Sequence, residues 1–263
     1  MLRSLLPRLA APLFVLAVTG GLAAAAEVRG NASYVVTLSG INIANVSVDL
    51  RDDGKRYGLD LSANVAGLGQ LVASGTATAS SAGTSSGNLL KSESFDLTTE
   101  ANRETFSVEV DYARSNVTAF VVEPPLINNI DRVPIERAHL TGVNDMLAAF
   151  VLKGKALDKG LCSHKAQVFT GVERFNIAMR FAGEDVATSA RTGYQGPVVL
   201  CNIQYTPVSG HFTTSEITSY LAGSDRILIW YAPMGETGYF IPYRVLLTTS
   251  VGDLSMVLTK LSY

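Results

Sequence analysis

Apolar and polar residues alternate along most of this chain, which is the pattern of half-buried β-strands. The alternating runs are short and are separated by turn residues such as Asp53-Gly54, a strong hairpin signal. Strands are predicted over residues 34–38, 41–50, 57–61, 95–100, 105–112, 117–122, 166–169, 174–181, 198–205, 226–231, 239–247 and 254–258. No strand–helix–strand rhythm accompanies these runs. We therefore predict a mainly β fold, an antiparallel open barrel or spiral-like coiled sheet with one short helix packed against or plugging it.

Two stretches between these runs are less regular. Residues 67–87 are rich in Gly, Ser, Ala and Thr, which suits either a flexible loop or strands joined by tight turns, and we favour strands. The double proline Pro124-Pro125 ends the strand before it, because proline donates no hydrogen bond to a neighbouring strand. We place the boundary between the two halves of the chain near residues 123–140 and expect a single β-rich domain over residues 27–263.

The predicted helix covers residues 141–153. Apolar residues fall at positions i, i+3, i+4, i+7 and i+8 and form one stripe: Val143, Met146, Leu147, Phe150 and Val151. Thr141 can cap its start, Asp145 suits its first turn and Gly154 can stop it. Such a stripe is typical of core packing, so we expect this helix to lie against the concave face of the sheet or to plug it. A shorter helical turn is predicted around residues 217–221.

The N-terminal residues have the pattern of a secretory signal peptide. Arg3 and Arg8 precede a short apolar run that ends in small residues up to Ala26. We expect cleavage after Ala26, export across the inner membrane and a periplasmic location. A retained anchor is the alternative, although the apolar run is shorter than the ~20 residues of a spanning helix. No later stretch approaches that length, so we expect no stable membrane span after cleavage.

Charge and cysteine usage narrow the function classes. The formal net charge of -2 is spread without basic blocks, which disfavours nucleic acid as a partner. Cys162 and Cys201 follow a predicted signal peptide, so one structural disulfide is the more economical interpretation. A redox-active or metal-binding pair is the alternative, but no Cys-x-x-Cys is present. His164, near Cys162, could activate a thiolate if the disulfide were absent.

Motifs for chemistry are sparse. His139, His164 and His211 have no metal-ligand spacing, and no Gly-x-Ser-x-Gly elbow occurs. Gly67-Leu68-Gly69 lacks the lysine and helix of a phosphate loop. Asp145 is better explained by a helix start than as a catalytic acid. We therefore predict no enzymatic activity, no cofactor and no metal site.

From Asp145 to the C-terminus, the chain resembles the proteobacterial family known as domain of unknown function 3108. The start of the mature chain, including Gly40-Ile41, also fits. The segments that carry the resemblance are Asn144-Asp145-Met146-Leu147, Leu161-Cys162, Val168-Phe169-Thr170-Gly171-Val172-Glu173-Arg174-Phe175, Gly196 before Cys201, Pro207-Val208-Ser209-Gly210-His211, Ile229-Trp230-Tyr231-Ala232-Pro233 and Ile241-Pro242-Tyr243-Arg244-Val245. The chain departs from the family at Met146 and Ala148, where Pro and Ser are usual, and at Thr170, where Asp is usual.

The resemblance implies an exported, β-rich envelope protein with paired cysteines and no established chemistry. The open spiral sheet of alphaproteobacterial envelope-integrity proteins is a similar architecture. We expect a non-catalytic protein that binds a lipid, a lipoprotein segment or a peptide on a concave β surface. The alternatives are a structural envelope protein that acts through protein partners and, third, an envelope hydrolase.

Aromatic residues supply large apolar area with a polar group, so they are our candidates for lining that surface. These candidates are Tyr34, Trp230, Tyr231, Phe240 and Tyr243. Glu173 with Arg244 is the candidate polar anchor for a ligand head group, although charged strand residues more often face solvent. The sequence does not determine the oligomeric state.

Overall fold

The computed structural model describes residues 27–71, 74–126, 130–249 and 252–263. The predicted signal peptide lies outside the described residues. The strands are β1 (Val28–Leu38), β2 (Ile41–Asp52), β3 (Arg56–Val65), β4 (Gly75–Ser86), β5 (Leu89–Ala101), β6 (Glu104–Ala113), β7 (Asn116–Glu123), β8 (Leu152–Lys153), β9 (Lys165–Phe169), β10 (Arg174–Ala187), β11 (Gly196–Ser209), β12 (Ile227–Pro233), β13 (Tyr239–Thr249) and β14 (Gly252–Ser262). One α-helix, α1, covers Glu216–Gly223 within these ranges, and 3₁₀ turns cover Gly67–Leu71, Arg137–Leu140 and Lys159–Ser163.

The fourteen strands form one antiparallel sheet, which confirms the predicted fold class. The order is β7-β6-β5-β4-β3-β2-β1-β14-β13-β12-β11-β10-β9, with β8 paired to β13. From β1 to β7 and from β9 to β14, strands that follow each other in sequence are neighbours in the sheet, as tight hairpins require. In addition, β1 pairs with β14 over Asn31 to Leu38, which joins the two ends of the described chain.

Local sequence signals explain several hairpins. Asp52 and Asp53 accept hydrogen bonds from the backbone N–H groups of Gly54, Lys55 and Arg56, so the carboxylates build the β2–β3 turn. The segment rich in small residues is β4, as favoured from the sequence. A side chain at Gly83 would lie 2.0 Å from a backbone oxygen of β5, which explains the glycine there.

The sheet curls but does not close into a barrel, and residues 141–144 hydrogen-bond to both of its edges. The backbone N–H of Val143 donates to Ser115 beside β7, at 2.8 Å. Next to it, the N–H of Asn144 donates to Gln167 of β9, also at 2.8 Å, and the N–H of Phe169 donates back to Asn144. Residues 141–144 thus join the outer strands β7 and β9.

The helix predicted over 141–153 is wrong. Residues 146–150 form hydrogen-bonded turns, and β8 follows at Leu152. A non-helical backbone, extended at Thr141 and at φ +67° at Gly142, bonds residues 141–144 to both sheet edges, and a regular helix could not supply these contacts. We call residues 144–153 the plug segment, because the expected position inside the curled sheet is correct. The helical turn predicted near residues 217–221 is α1.

Cys162 and Cys201 form a disulfide with a Cα–Cα distance of 5.3 Å. Cys201 lies on β11, whereas Cys162 lies in the 3₁₀ turn before β9. Both side chains are buried in the apolar cluster that contains Val199 and Ile229. The disulfide closes a separation of 39 residues, which on the chain-entropy model stabilises the fold by about 4 kcal/mol.

Candidate ligand cavity

A cavity of about 450 Å³ lies between the plug segment and the concave face of the sheet. Strands β1 to β3 form one wall and β10 to β13 form much of the other. The plug segment contributes four apolar side chains: Met146, Leu147, Phe150 and Val151. No Asp, Glu, His, Lys or Arg side chain belongs to the wall described here. The cavity is therefore suited to an apolar ligand.

Strand alternation explains why this wall is apolar. Successive side chains of a strand face opposite sides of the sheet, so apolar residues two apart share a face. Val46, Val48 and Leu50 of β2 line the cavity in this way, and Leu59 and Leu61 of β3 follow the same rule. The amphipathic pattern that predicted the strands thus also forms the cavity.

Asp145 determines how the plug segment turns. Its Oδ1 accepts hydrogen bonds from the backbone N–H groups of Leu147 and Ala148, at 2.7 and 2.9 Å. These contacts cap the first turn in the way expected for Asp at a helix start. The local capping signal is therefore real, although no regular helix follows it.

The other carboxylate oxygen of Asp145 faces three hydroxyl groups. Ser81 donates to Oδ2 at 2.6 Å, Ser92 also donates to it, and Tyr57 lies at 3.4 Å. Asp145 is fully buried. Burial raises the pKa of this carboxyl, and the hydrogen bonds only partly oppose that effect. Sequence analysis missed this network, because its members come from β3, β4, β5 and the plug segment.

Lys153 anchors the opposite end of the plug segment. Its Nζ lies 2.9 Å from Oδ2 of buried Asp52 and 2.6 Å from the hydroxyl of Ser85. The hydroxyls of Ser85 and Tyr239 also donate to Asp52. Burial alone would raise the pKa of Asp52, but the hydrogen bonds from Tyr239, Ser85 and Lys153 outweigh it and lower that pKa below its ordinary value.

Tyr34 is the one predicted lining aromatic that lies in the cavity wall. Tyr231 and Phe240 are buried in the apolar cluster that contains the disulfide, and Tyr243 packs against the ring of Tyr194. Trp230 donates from its indole N–H to Asp185 at 3.0 Å. The side chains of these four residues lie in clusters beside the cavity and do not belong to its described wall.

The predicted Glu173–Arg244 anchor is not formed. Two strands, β11 and β12, separate β10 from β13, which corresponds to about 14 Å at the usual strand spacing. Arg244 is exposed and lies over the ring of Trp230 at 5.4 Å. Glu173 lies near Tyr205 and contributes to raising the pKa of that phenol, after the larger effect of burial.

The groups considered for chemistry have structural partners. His164 lies 3.1 Å from the backbone oxygen of Ala149, and burial lowers the pKa of its imidazole. The cysteines are joined, so His164 faces no thiolate. Across the described part of the chain, no three His, Cys, Asp or Glu side chains are grouped to hold a metal ion.

Comparisons with known proteins give few matches. A search of curated proteins found no significant match. Among solved structures, the chain is similar to the "Beta-barrel-like Protein of Domain of Unknown Function DUF1849 from Brucella abortus". The two share 12% identity with a TM-score of 0.49, over 89% of this chain and 97% of that chain.

A family model described as "Protein of unknown function (DUF3108)" matches residues 33–259. The match contains all the segments that carried the resemblance, from the plug segment to Val245 on β13. It also contains both cysteines and nearly the whole described sheet. This chain therefore belongs to the DUF3108 family of proteins of unknown function.

Proposed function

We propose that this protein binds the apolar part of a lipid in its cavity, without catalysis, in the periplasm of the cell envelope. The observation that carries the proposal is the apolar wall around about 450 Å³ of space. That volume is within the range of about 300–1,000 Å³ for small-molecule sites. Each methylene group removed from water contributes about 0.8 kcal/mol, so a hydrocarbon chain gains affinity from every carbon that the cavity accepts.

The lack of charged wall residues favours binding over catalysis. General acid–base catalysis requires a titratable group within hydrogen-bonding reach of the ligand. In the part of the wall that is described, tyrosines are the titratable residues, and burial raises the pKa of Tyr34 and of Tyr205. These phenols stay protonated at neutral pH, so neither serves as a base.

The proposed periplasmic location is supported by one observation and one sequence-based prediction. A disulfide such as Cys162–Cys201 persists in oxidising compartments, and the sequence begins with a predicted signal peptide. Within residues 27–71, 74–126, 130–249 and 252–263, no helix has the length and apolar character needed to cross a membrane.

The test is to fill the cavity. Val46 lines the cavity and pairs with Tyr34 across β1 and β2. We expect Val46→Trp to weaken binding of the neutral fluorescent probe N-phenyl-1-naphthylamine at least tenfold. Val186→Trp is the matched control, because Val186 is 59% exposed and lies outside the cavity wall. Equal binding by wild type and both variants would contradict the proposal, as would the absence of probe binding to wild type.

Chain length provides a second measurement. Linear alcohols of six to twelve carbons should displace the probe with affinity that rises about fourfold per methylene. The rise should stop once the cavity is full. Native mass spectrometry of protein purified from an envelope fraction should show a bound lipid on wild type and on Val186→Trp, and none on Val46→Trp.

A second candidate, docking of a protein partner, is favoured by strand β7. This strand is at one end of the sheet, and its residues Phe120 and Val121 are 41% and 50% exposed. An open strand edge can pair with an extended segment of another chain. A photocrosslinking residue at position 121 should then give a defined adduct in cells, whereas one at position 186 should not. Failure of the first adduct would remove this candidate.

A further inference from the structure

Tyr34 is one of three residues with a polar side-chain group in the described, predominantly apolar wall. It is 4% exposed, it lines the cavity, and its hydroxyl has no hydrogen-bond partner among the described residues. The other polar lining side chains differ from it. Asn31 donates to Ser47 and Asp49, and Tyr205 is only partly buried.

A hydroxyl without a hydrogen-bond partner in the protein can take one from a bound ligand, and that hydrogen bond would add to the affinity of the ligand. The neighbouring phenol of Tyr231 donates to the backbone oxygen of Phe150 at 3.2 Å and makes no hydrogen bond with Tyr34 among the described contacts. Burial raises the pKa of Tyr34, so its phenol remains a neutral donor at physiological pH. The hydroxyl is thus available to donate to an acceptor inside the cavity.

The charge of the wall restricts what that acceptor is. A carboxylate or phosphate inside the cavity would need a cation, and the described wall contains no Lys, Arg or His. A charge buried without a counter-ion is far more costly than a neutral polar atom. A carbonyl or hydroxyl oxygen can instead accept from Tyr34 at little cost.

We propose that the ligand is a neutral, predominantly hydrocarbon molecule with a carbonyl or hydroxyl oxygen that accepts a hydrogen bond from Tyr34. Esters, ketones and long-chain alcohols belong to this class, and free fatty acids in their ionised form do not. Tyr34 is then the residue that determines specificity. The inference rests on the proposed binding function and adds the chemical class of the ligand.

The test compares three ligands with the same number of carbons: decane, 2-decanone and decanoate. Each displaces N-phenyl-1-naphthylamine from wild type and from Tyr34→Phe at pH 8. We expect 2-decanone to bind about fivefold more weakly to Tyr34→Phe, which corresponds to one hydrogen bond. Decane should bind both proteins equally, so the difference between the two ligands isolates the hydroxyl. Decanoate should bind wild type at least tenfold more weakly than 2-decanone.

Tyr243→Phe is the matched control. Tyr243 is 9% exposed and belongs to the same apolar cluster as Tyr34, but it lies outside the cavity wall and donates to Thr192. We expect this variant to bind all three ligands as wild type does. Its Tm should fall, because it loses a hydrogen bond. The Tm of ligand-free Tyr34→Phe should stay unchanged or rise, because that variant loses an unpartnered hydroxyl.

The outcomes separate this inference from the proposed function. Equal weakening of decane and 2-decanone by Tyr34→Phe would show that Tyr34 only packs against the ligand, and would overturn the inference. If decanoate bound wild type as tightly as 2-decanone does, the conclusion that the ligand is neutral would be overturned. In both cases, binding of the probe and of decane would still support an apolar site. If the probe does not bind wild type, the proposed function and this inference fail together.

Discussion

Asp145 and Asp52 hold the two ends of the plug segment, and their surroundings shift their pKa values in opposite directions. Both carboxylates are buried and both accept hydrogen bonds from hydroxyl groups. Asp52 also contacts the ammonium group of Lys153, whereas Asp145 has hydroxyl and backbone N–H donors and no cation among the described contacts. The pKa of Asp52 is lowered and that of Asp145 is raised.

The comparison shows that the balance between burial and hydrogen bonding differs between the two carboxyls. At Asp145, burial outweighs the hydrogen bonds from two hydroxyl and two backbone donors. At Asp52, hydrogen bonds from Tyr239 and Ser85, and then from the ammonium group of Lys153, outweigh the effect of burial. The plug segment is therefore held at one end by Asp52, whose surroundings favour the ionised carboxylate. At the other end it is held by Asp145, where burial disfavours ionisation.

The largest expected effect comes from removing the cation. Lys153→Met leaves Asp52 buried without its counter-charge, which should lower the free energy of unfolding by about 3–5 kcal/mol at pH 7. The pKa of Asp52 should then rise, because one of the hydrogen bonds that lower it is lost. Urea denaturation measures the first effect. Lys155→Met is the control, because Lys155 is exposed and lies two residues away, and it should change stability by less than about 0.5 kcal/mol.

A smaller effect is the dependence of folding stability on pH, which should differ between Asp145 and Asp52. The raised pKa of Asp145 means that the folded state holds its proton more tightly than the unfolded state does, so stability falls as pH rises from about 4 to that pKa. Asp145→Asn should remove this fall. Below pH 4, the variant should have a free energy of unfolding about 1–2 kcal/mol lower than that of wild type. Asp52 has a lowered pKa, so its contribution is complete above about pH 4 and is lost as pH falls through the folded-state value.

Asp52→Asn should therefore flatten the acid side of the stability profile, and Asp145→Asn should flatten the side above about pH 4. Thermal unfolding at pH intervals of half a unit measures both. Identical profiles for the two variants would contradict the distinction between the anchors.

The smallest effect comes from single hydroxyl groups. Ser81 and Ser85 are both buried on β4 and donate to Asp145 and Asp52, at 2.6 and 2.7 Å. Each Ser→Ala change should lower the free energy of unfolding by about 1 kcal/mol. Ser81→Ala should raise the pKa of Asp145 further, and Ser85→Ala should move that of Asp52 back toward its ordinary value. Carboxyl chemical shifts followed by NMR titration would show these shifts, and shifts in the reverse directions would contradict the assignment.

Much of the sheet could be predicted from local pattern. Apolar residues alternate with polar residues in 41–50 and 57–61, and Asp53-Gly54 lies between these runs. This local pattern predicted two paired strands, which are β2 and β3 in the structure. The pairing of β1 with β14 could not be predicted in this way, because the paired residues are more than 200 positions apart in sequence.

The helix over 141–153 illustrates the limit of such patterns. Its apolar stripe fits a helix, and Asp145 does cap the first turn. The opposite side is buried as well, since Ala148 and Ala149 are 3% and 1% exposed. A segment that is buried on this side as well and bonded at its start to both edges of the sheet takes the backbone that those contacts require, whatever its helix propensity.

The sequence by itself determined the strands, the hairpin turns and the apolar character of one sheet face, because these depend on residues close together in the chain. It also indicated the cysteine pair and the family. The tertiary structure decided which of the five candidate aromatic residues lines the cavity, because all five fit alternating strands. It also decided the pKa shifts of Asp145 and Asp52, because a carboxyl responds to the partners that surround it, and those partners come from distant strands.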